Sequence, residues 1–385
     1  MRILFYAHSS TLYGANRSLI ELIIGLKTIN PQIEIFVVIP NKGPIESKLK
    51  KRSIPFQVIK HYNWFYEEPI ARKWKKKSTI LYKLWFEKNK WQKFLKNKVR
   101  LKSHLNFARK FSPDIIYVNS SLCPMGLYVG KKLEKKVIWH HRETVNDNIY
   151  GFCLEKENEF ITHYNEVDLH LFTSKFLQEN YLKNFGKENY RIFYDSVLME
   201  NNSNFAIASM NHSIKFGIVG RINKQKGQKE IIELFNSSEI KELGIQLEIF
   251  GHGSPNFLKW FEKINSPNIN YHGFVNREDI YENFEILISN ATFEAFGRTI
   301  AEANSCGIPV VVRKSGAFPE LVRNNYNGFL FNNSNELKNL IFELSAIKKK
   351  EYSILSRNSL EFAKQKFDYL KLAKGIFGAI SEVIN

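Results

Sequence analysis

The sequence predicts an α/β protein built from two doubly wound, Rossmann-like parallel sheets. Three observations carry that reading. A chain of 385 residues exceeds one ordinary domain and gives two of about 180 residues room for a core each. A strand, a glycine-containing loop and a helix open the chain at Met1, and a strand and loop of the same kind start again at Lys215. Between them, the polar and aperiodic residues 200–213 separate two charge regimes. Residues 1–200 hold 34 Lys+Arg against 19 Asp+Glu, a net of +15; the totals of 56 and 38 leave 22 against 19, or +3, for the rest. The domains are therefore expected at 1–199 and 214–365, joined by a linker at 200–213, with a last helix at 366–385.

Residues 1–7 form a continuous apolar strand, and residues 8–14 a loop that closes at Gly14. Leu19, Leu22, Ile23 and Leu26 then fall on one face of a helix. In a doubly wound sheet, ligands sit at the carboxyl ends of the strands, so Gly14 either brings backbone close to a phosphate or is a plain turn glycine. Further strands are expected at 34–39, 54–59, 114–118, 136–139, 169–173 and 191–194. His140, His141 and Arg142 follow the strand at 136–139, where polar groups point into a binding crevice or are merely satisfied strand-end residues.

Residues 71–110 stand apart, with fifteen Lys+Arg and the single acid Glu87. Leu81, Leu84, Trp85, Trp91, Phe94 and Leu95 recur there at roughly helical spacing with lysines between them. Two uses fit equally: a core-facing helix with a solvated lysine face, or an amphipathic helix on an anionic membrane surface. Nucleic acid is the weaker partner for this charge, and none is expected. Hydrophobic content of 44% and charge of 24% belong to a folded protein, and no apolar run nears the length of a membrane span. The chain opens directly on a strand without a signal core, so a cytoplasmic protein is expected, peripheral on the inner face of the membrane if the basic helix docks there. Cys123, Cys153 and Cys306 are widely spaced and read as buried thiols, without a zinc or redox pattern.

In the second half, residues 215–220 open a new sheet, and Arg221 and Lys226 lie beyond its carboxyl end. Arginine offers a planar fork and lysine a point charge, the two common ways to hold phosphate oxygens, although lone loop cations are often only solvated. Strands at 246–250 and 269–275 bring the glycine loops of Gly251 and Gly273. The apolar runs 286–289 and 309–312 then bracket a loop and a helix predicted over Arg298–Ser305, with Gly297 supplying the turn at its start. Open amides around Phe296, Gly297, Arg298 and Thr299, with the positive end of the helix dipole, make an anion site. Glu294 precedes that turn and Glu302 lies two turns into the helix. Carboxylates beside a phosphate suit sugar hydroxyls, which fits a nucleoside diphosphate sugar; a chance pair of solvated glutamates is the plain alternative.

Glu294, Phe296, Gly297 and Glu302, followed by Gly307-Ile308-Pro309-Val310 and by Gly316 to Glu320, resemble the signature of the retaining glycosyltransferases of family 4, the glycosyl transferases group 1. That resemblance is specific over the second half and covers the first half only through its first loop, strand order and histidine-rich strand end. It implies the GT-B fold, two facing Rossmann-like domains with a cleft between them, the final helix crossing back to the first domain. It also implies transfer of a sugar from a UDP- or GDP-linked donor to a carbohydrate or lipid-linked acceptor, with retention at the anomeric carbon. Under it, Arg221 and Lys226 hold the diphosphate, Glu294 the transferred sugar and Glu302 the ribose, while Gly14, Gly251, Phe274 and Val275 border the donor. The family's acceptor-side histidine stands before an acidic residue; here Arg142 occupies that slot, leaving His141 or Arg142 for the role. No metal and no cofactor beyond the nucleotide sugar are expected, since two cations and a helix start oppose the leaving charge and no Asp-x-Asp pair is present. A bacterial surface polysaccharide or lipid-linked oligosaccharide is the expected product class. A GT-B epimerase or hydrolase, and a basic nucleic-acid-binding protein, are the rival classes.

Overall fold

The computed structural model describes residues 1–63, 74, 76–144, 157–186, 189–198, 214–264 and 266–385. The expected linker at 200–213, Cys153, and residues 71–73 and 75 of the basic segment lie outside them. Two compact units emerge, one of Met1–Asp195 with Tyr369–Asn385, the other of Ser196–Asp368.

In the first unit, short apolar runs with both faces covered become parallel strands: β1 (Arg2–Tyr6), β2 (Glu34–Ile39), β3 (Phe56–Val58), β4 (Ile115–Val118), β5 (Lys136–His141), β6 (Leu169–Phe172) and β7 (Tyr190–Ile192). They pair in the order β3-β2-β1-β4-β5-β6-β7. The direction of winding reverses at β1, so the natural crevice lies beyond the carboxyl ends of β1 and β4. Leu19, Leu22, Ile23 and Leu26 of the helix Gly14–Ile29 are fully buried against this sheet. The other side of the same helix receives the last helix, Tyr369–Ile384, whose Leu372, Ala373, Ile376 and Ile380 enter the same core. A Cβ on Gly25 would meet the Ala373 Cβ at 2.7 Å and the Tyr369 carbonyl oxygen at 2.9 Å, so the two helices pack at glycine distance.

The second unit repeats the plan with β8 (Lys215–Val219), β9 (Gln246–Phe250), β10 (Ile269–Gly273), β11 (Ile286–Ser289), β12 (Val310–Arg313) and β13 (Gly328–Phe331). Their order is β10-β9-β8-β11-β12-β13, and every pair is parallel. Reversal at β8 places the crevice beyond β8 and β11, the two strands after which Arg221, Lys226, Glu294 and Gly297 occur. The helix Arg298–Ser305 forms where its sequence predicts it.

β13 is a four-residue edge strand with too few residues for an alternating pattern. The last helix, expected at 366–385, runs Tyr369–Ile384 after a break that follows Lys366. The basic segment forms one 33-residue helix, Thr79–Phe111, and its apolar residues face outward: Leu81 is 50% exposed, Leu84 64%, Trp91 59% and Leu95 51%. The residues that bury this helix are instead Tyr82, Asn97, His104 and Ala108. Among the described residues no helix is long and apolar enough to cross a membrane, and Cys123 and Cys306 are buried free thiols.

Replacing Gly25 by Val forces the helices Gly14–Ile29 and Tyr369–Ile384 apart. Overpacking of this kind costs about 1–3 kcal/mol, and chemical denaturation should register it as a lower midpoint for Gly25→Val; an unchanged midpoint would contradict the packing described.

Candidate functional site

In the second unit, the loop after β8 is shaped by its own side chains. Gln228 donates from Nε2 to the Arg221 carbonyl at 3.0 Å and accepts the Asn223 amide at 3.2 Å, while the Asn223 carboxamide oxygen accepts the Lys226 amide at 3.0 Å. Those bonds turn the chain so that Lys226 forms a close ion pair with Glu294. Glu294 is fixed from the other side by residues 316–317. The Ala317 amide donates to the Glu294 carbonyl at 2.9 Å, and a Cβ on Gly316 would come within 2.7 Å of the Glu294 backbone nitrogen and oxygen. Three residues on, Gly297 adopts φ +98°, and a side chain there would strike the Phe318 ring at 2.6 Å. Only glycine makes that turn without strain. The helix it opens has no side-chain cap and no acid in its first turn, so its dipole end remains open to an anion. Lys226, Glu294 and Thr299 line one crevice with Asn290 and Gln228.

Several expected donor ligands sit elsewhere. Arg221 is exposed on its loop and does not line that crevice. Phe296 is 5% exposed with its ring edge-on to Phe367 at 6.0 Å, so the side chain is core and only its backbone faces the loop. Arg298 folds back: its Nε donates to Glu302 Oε1 at 2.9 Å and its Nη1 reaches the Ser196 carbonyl at 3.4 Å. Glu302 is 4% exposed and also accepts from Tyr281 Oη at 2.8 Å and Arg277 Nη1 at 3.5 Å. Burial, then the Glu302 charge, hold the Tyr281 phenol well above its usual pKa, so it remains a donor. Both Glu302 oxygens thus have protein partners, and a ribose contact would add to this network rather than replace it. Gly251 has its amide on the Gly273 carbonyl at 2.6 Å and its carbonyl on Tyr271 Oη at 2.9 Å. Phe274 is 57% exposed and stacks on His252 at 5.1 Å between ring centres, with Val275 half-buried beside it.

In the first unit, Gly14 is half-buried at the start of its helix, whose first turn has no side-chain cap. His141 and Arg142, the two residues expected on the acceptor side, are both enclosed within this unit. His141 has no exposed surface and belongs to a directed chain. Tyr181 Oη donates to Ser121 Oγ at 2.6 Å, Ser121 to His141 Nδ1 at 3.0 Å, His141 Nε2 to His170 Nδ1 at 2.9 Å, and His170 Nε2 to the Tyr164 carbonyl at 3.0 Å. The terminal carbonyl can only accept, which sets the protons of both imidazoles and of Ser121, while the single Tyr181 proton is shared between Ser121 Oγ and the Glu143 carbonyl at 3.0 Å. Burial, then the neighbouring imidazoles, hold His141 well below its usual pKa, and it is neutral. Arg142 is 8% exposed, ion-paired to Asp195 and bonded from Nε to Asn119 Oδ1 at 2.9 Å. Asp195 takes a further bond from Ser18 Oγ at 2.8 Å. A guanidinium so enclosed ties the ends of β4, β5 and β7 to the first helix.

The chemically poised groups at this edge were missed in the sequence. Glu143, next after Arg142, accepts from Ser120 Oγ at 2.9 Å and the Ser121 amide at 3.1 Å. Burial raises its carboxyl to about 7 against those bonds. His8, directly after the first strand, is lowered to about 4 by burial and by the nearby His61 and Arg142. The legible signal was position, since both are the first ionisable residues past a strand whose end faces the crevice, Arg142 apart. Among the described residues no group of three metal-ligating side chains converges.

Comparison with known proteins follows the same division. Residues 200–365 match the sequence model of the glycosyl transferases group 1 family. An uncharacterized 41.2 kDa protein of the cps region of Klebsiella pneumoniae is 27% identical over 30% of this chain, an alignment spanning only 31% of that relative. Alpha-monoglucosyldiacylglycerol synthase of Acholeplasma laidlawii is 23% identical over 87% of this chain and 85% of its own. Among solved structures, Anabaena HepE in complex with UDP-glucose superposes with a TM-score of 0.74 over 99% of this chain and 100% of that one, at 19% identity. The two units have the GT-B fold.

The raised carboxyl of Glu143 gives a pH test. A group whose folded pKa exceeds its unfolded value stabilises fully below the unfolded value and loses that contribution as pH rises through the folded one. Replacing Glu143 by Gln should therefore remove a decline in stability between about pH 4.5 and pH 7. Urea midpoints at pH 5 and pH 8 measure it: the variant should gain on the wild type at the higher pH, and parallel behaviour would refute the raised pKa.

Proposed function

We propose that the protein is a retaining, metal-independent glycosyltransferase that moves a sugar from a nucleoside diphosphate donor to an acceptor hydroxyl. The observation that carries this reading is the pairing of Lys226 with Glu294 beside the uncapped helix start at Gly297. In the proposed reaction the bond from the anomeric carbon to the diphosphate breaks, a bond from the acceptor oxygen forms, and the hydroxyl proton leaves with a phosphate oxygen. Negative charge then grows on the diphosphate. Lys226 and the amides of Arg298 and Thr299 oppose it, fixed in advance by Asn223, Gln228 and the turn at Gly297. Without a donor, Glu294 occupies the lysine. With one bound, Lys226 turns to phosphate and Glu294 is released to accept from the sugar hydroxyls, while Glu302, held by Arg277 and Tyr281, meets the ribose.

The bound UDP-glucose of the HepE structure supports a UDP-linked donor, and the lipid product in the name of the Acholeplasma relative supports a lipid-linked acceptor. The outer face of the helix Thr79–Phe111 supports a place for that acceptor. Ile80, Leu84, Trp91 and Leu95 form an exposed apolar stripe with Lys83, Lys88 and Lys98 among them, a surface suited to an anionic bilayer. A peripheral position on the inner membrane face follows.

Two measurements test these statements. Glu294→Gln and Lys226→Met should each lower sugar transfer from UDP-glucose or another UDP-sugar by at least a hundredfold with an unchanged unfolding midpoint; near-normal transfer would defeat the assigned roles. Changing Leu84, Trp91 and Leu95 together to Ser should abolish sedimentation with phosphatidylglycerol vesicles while leaving transfer to a soluble acceptor intact, and undiminished sedimentation would remove the membrane face from the proposal.

A further inference from the structure

The first unit holds a second gathering of cations, remote in sequence from the groups used so far. Lys60 follows β3, and Lys96 and Arg100 lie one turn apart on the helix Thr79–Phe111. All three surround one ring. The Arg100 guanidinium stands 4.9 Å from the centre of Tyr62, the Lys96 ammonium 5.7 Å and the Lys60 ammonium 6.0 Å. The arrangement is held by a buried side chain: Asn97, 4% exposed, accepts the Tyr62 amide at 2.9 Å and donates to the Tyr62 carbonyl at 2.9 Å. Lys60 and Gln57 from the sheet edge, with Arg100, Ser103 and Phe107 from the helix, line an open pocket.

Like charges so close repel, and a protein ordinarily parts them or supplies carboxylates. Among the described residues neither is done. Among the described residues no acid pairs with Lys60, Lys96 or Arg100, and Arg100 Nη1 is buried without a hydrogen-bond acceptor. A charged donor left in that state costs more than a neutral one. Cation-to-ring attraction offsets only part of the repulsion. What completes the set is an acceptor-only tetrahedral anion, since a guanidinium fork, flanking ammonium groups and a hydroxyl suit phosphate oxygens.

We propose that this pocket binds a phosphate group, with Arg100 as the anchoring fork, Lys60 as a flanking charge and the Ser103 hydroxyl as a further donor, while Lys96, across the Tyr62 ring, adds positive potential without lining the pocket. Resting on the glycosyltransferase reading for its use, the site assigns the acceptor to a class: phosphate-bearing, whether a soluble phosphate ester or a lipid headgroup. Lys60 lies beyond the carboxyl end of β3, on the same sheet edge as His8 and Glu143, so the phosphate would sit on the acceptor side of that unit.

The test uses the full chain and three probes: glycerol 3-phosphate, phosphatidylglycerol vesicles with phosphatidylcholine vesicles as control, and UDP. The wild type should be thermally stabilised by glycerol 3-phosphate, or should bind phosphatidylglycerol but not phosphatidylcholine if the source is a headgroup. Lys60→Gln with Arg100→Gln should weaken that binding at least tenfold, and Ser103→Ala, which removes one oxygen, severalfold. Stabilisation by UDP should be unchanged in both and lost in Lys226→Met. Equal affinity of the wild type and the double variant for the phosphate probes, or no binding by the wild type, overturns the pocket. Absence of UDP stabilisation in the wild type overturns the donor reading and leaves the pocket standing.

Discussion

The contact between Lys226 and Glu294 is the constraint through which the second unit's loops acquire a common purpose. One partner comes from the loop after β8 and the other from the loop after β11, so the pair spans the point where the winding of the sheet reverses. Neither side chain chooses its place freely. Asn223 and Gln228 set the lysine, and residues 316–317 press on the backbone of the glutamate. A partly exposed ion pair contributes little stability by itself. Its position beside an uncapped helix start is therefore better understood as readiness for an anion, which can take over the lysine at small cost to the fold.

The first unit treats its strand-end charges in the opposite way. Arg142 and Asp195 are enclosed, with every strong donor and acceptor directed at protein. Removing one partner of such a pair strands a buried charge, which makes the pair a structural fixture. The chain from Tyr181 to the Tyr164 carbonyl does the same with neutral groups. A strand end can thus be polar without being available, and availability depends on depth below the surface.

That difference explains how far the sequence could be read. Apolar runs of four to six residues between glycine loops determine parallel strands almost unaided, and Leu19, Leu22, Ile23 and Leu26 announced the buried face of the first helix. The turn at Gly297 was legible because its conformation demands glycine. Arg298 and Phe296 were not, since spacing along the chain is blind to whether a side chain turns toward a ligand or folds back onto Glu302 and Phe367. The burial of His141 was hidden for the same reason: a residue at a strand end alternates between faces, and only the packing of Tyr181 and His170 reveals which side it took. Glu143, two positions further, stands where the strand has ended and the loop begins.

The long helix Thr79–Phe111 shows what burial adds to a pattern of residues. Its leucines and aromatic residues recur at a helical interval, which periodicity alone fits equally to a core and to a membrane surface. Yet Asn97, His104 and Ala108 face the sheet side, and a small or polar contact face lets the helix lie close to the loop at 59–62. The larger apolar residues must then point outward, where burial against water-free surroundings is the only way to recover about 25 cal/mol for each Å² they expose. Lysines interleaved with that stripe keep it from pairing with ordinary apolar protein surfaces, because their charge would have to be desolvated. They are at ease against anionic headgroups. Apolar area and positive charge on one face are in conflict against most protein surfaces, and the proposed membrane contact is the one that would relieve both.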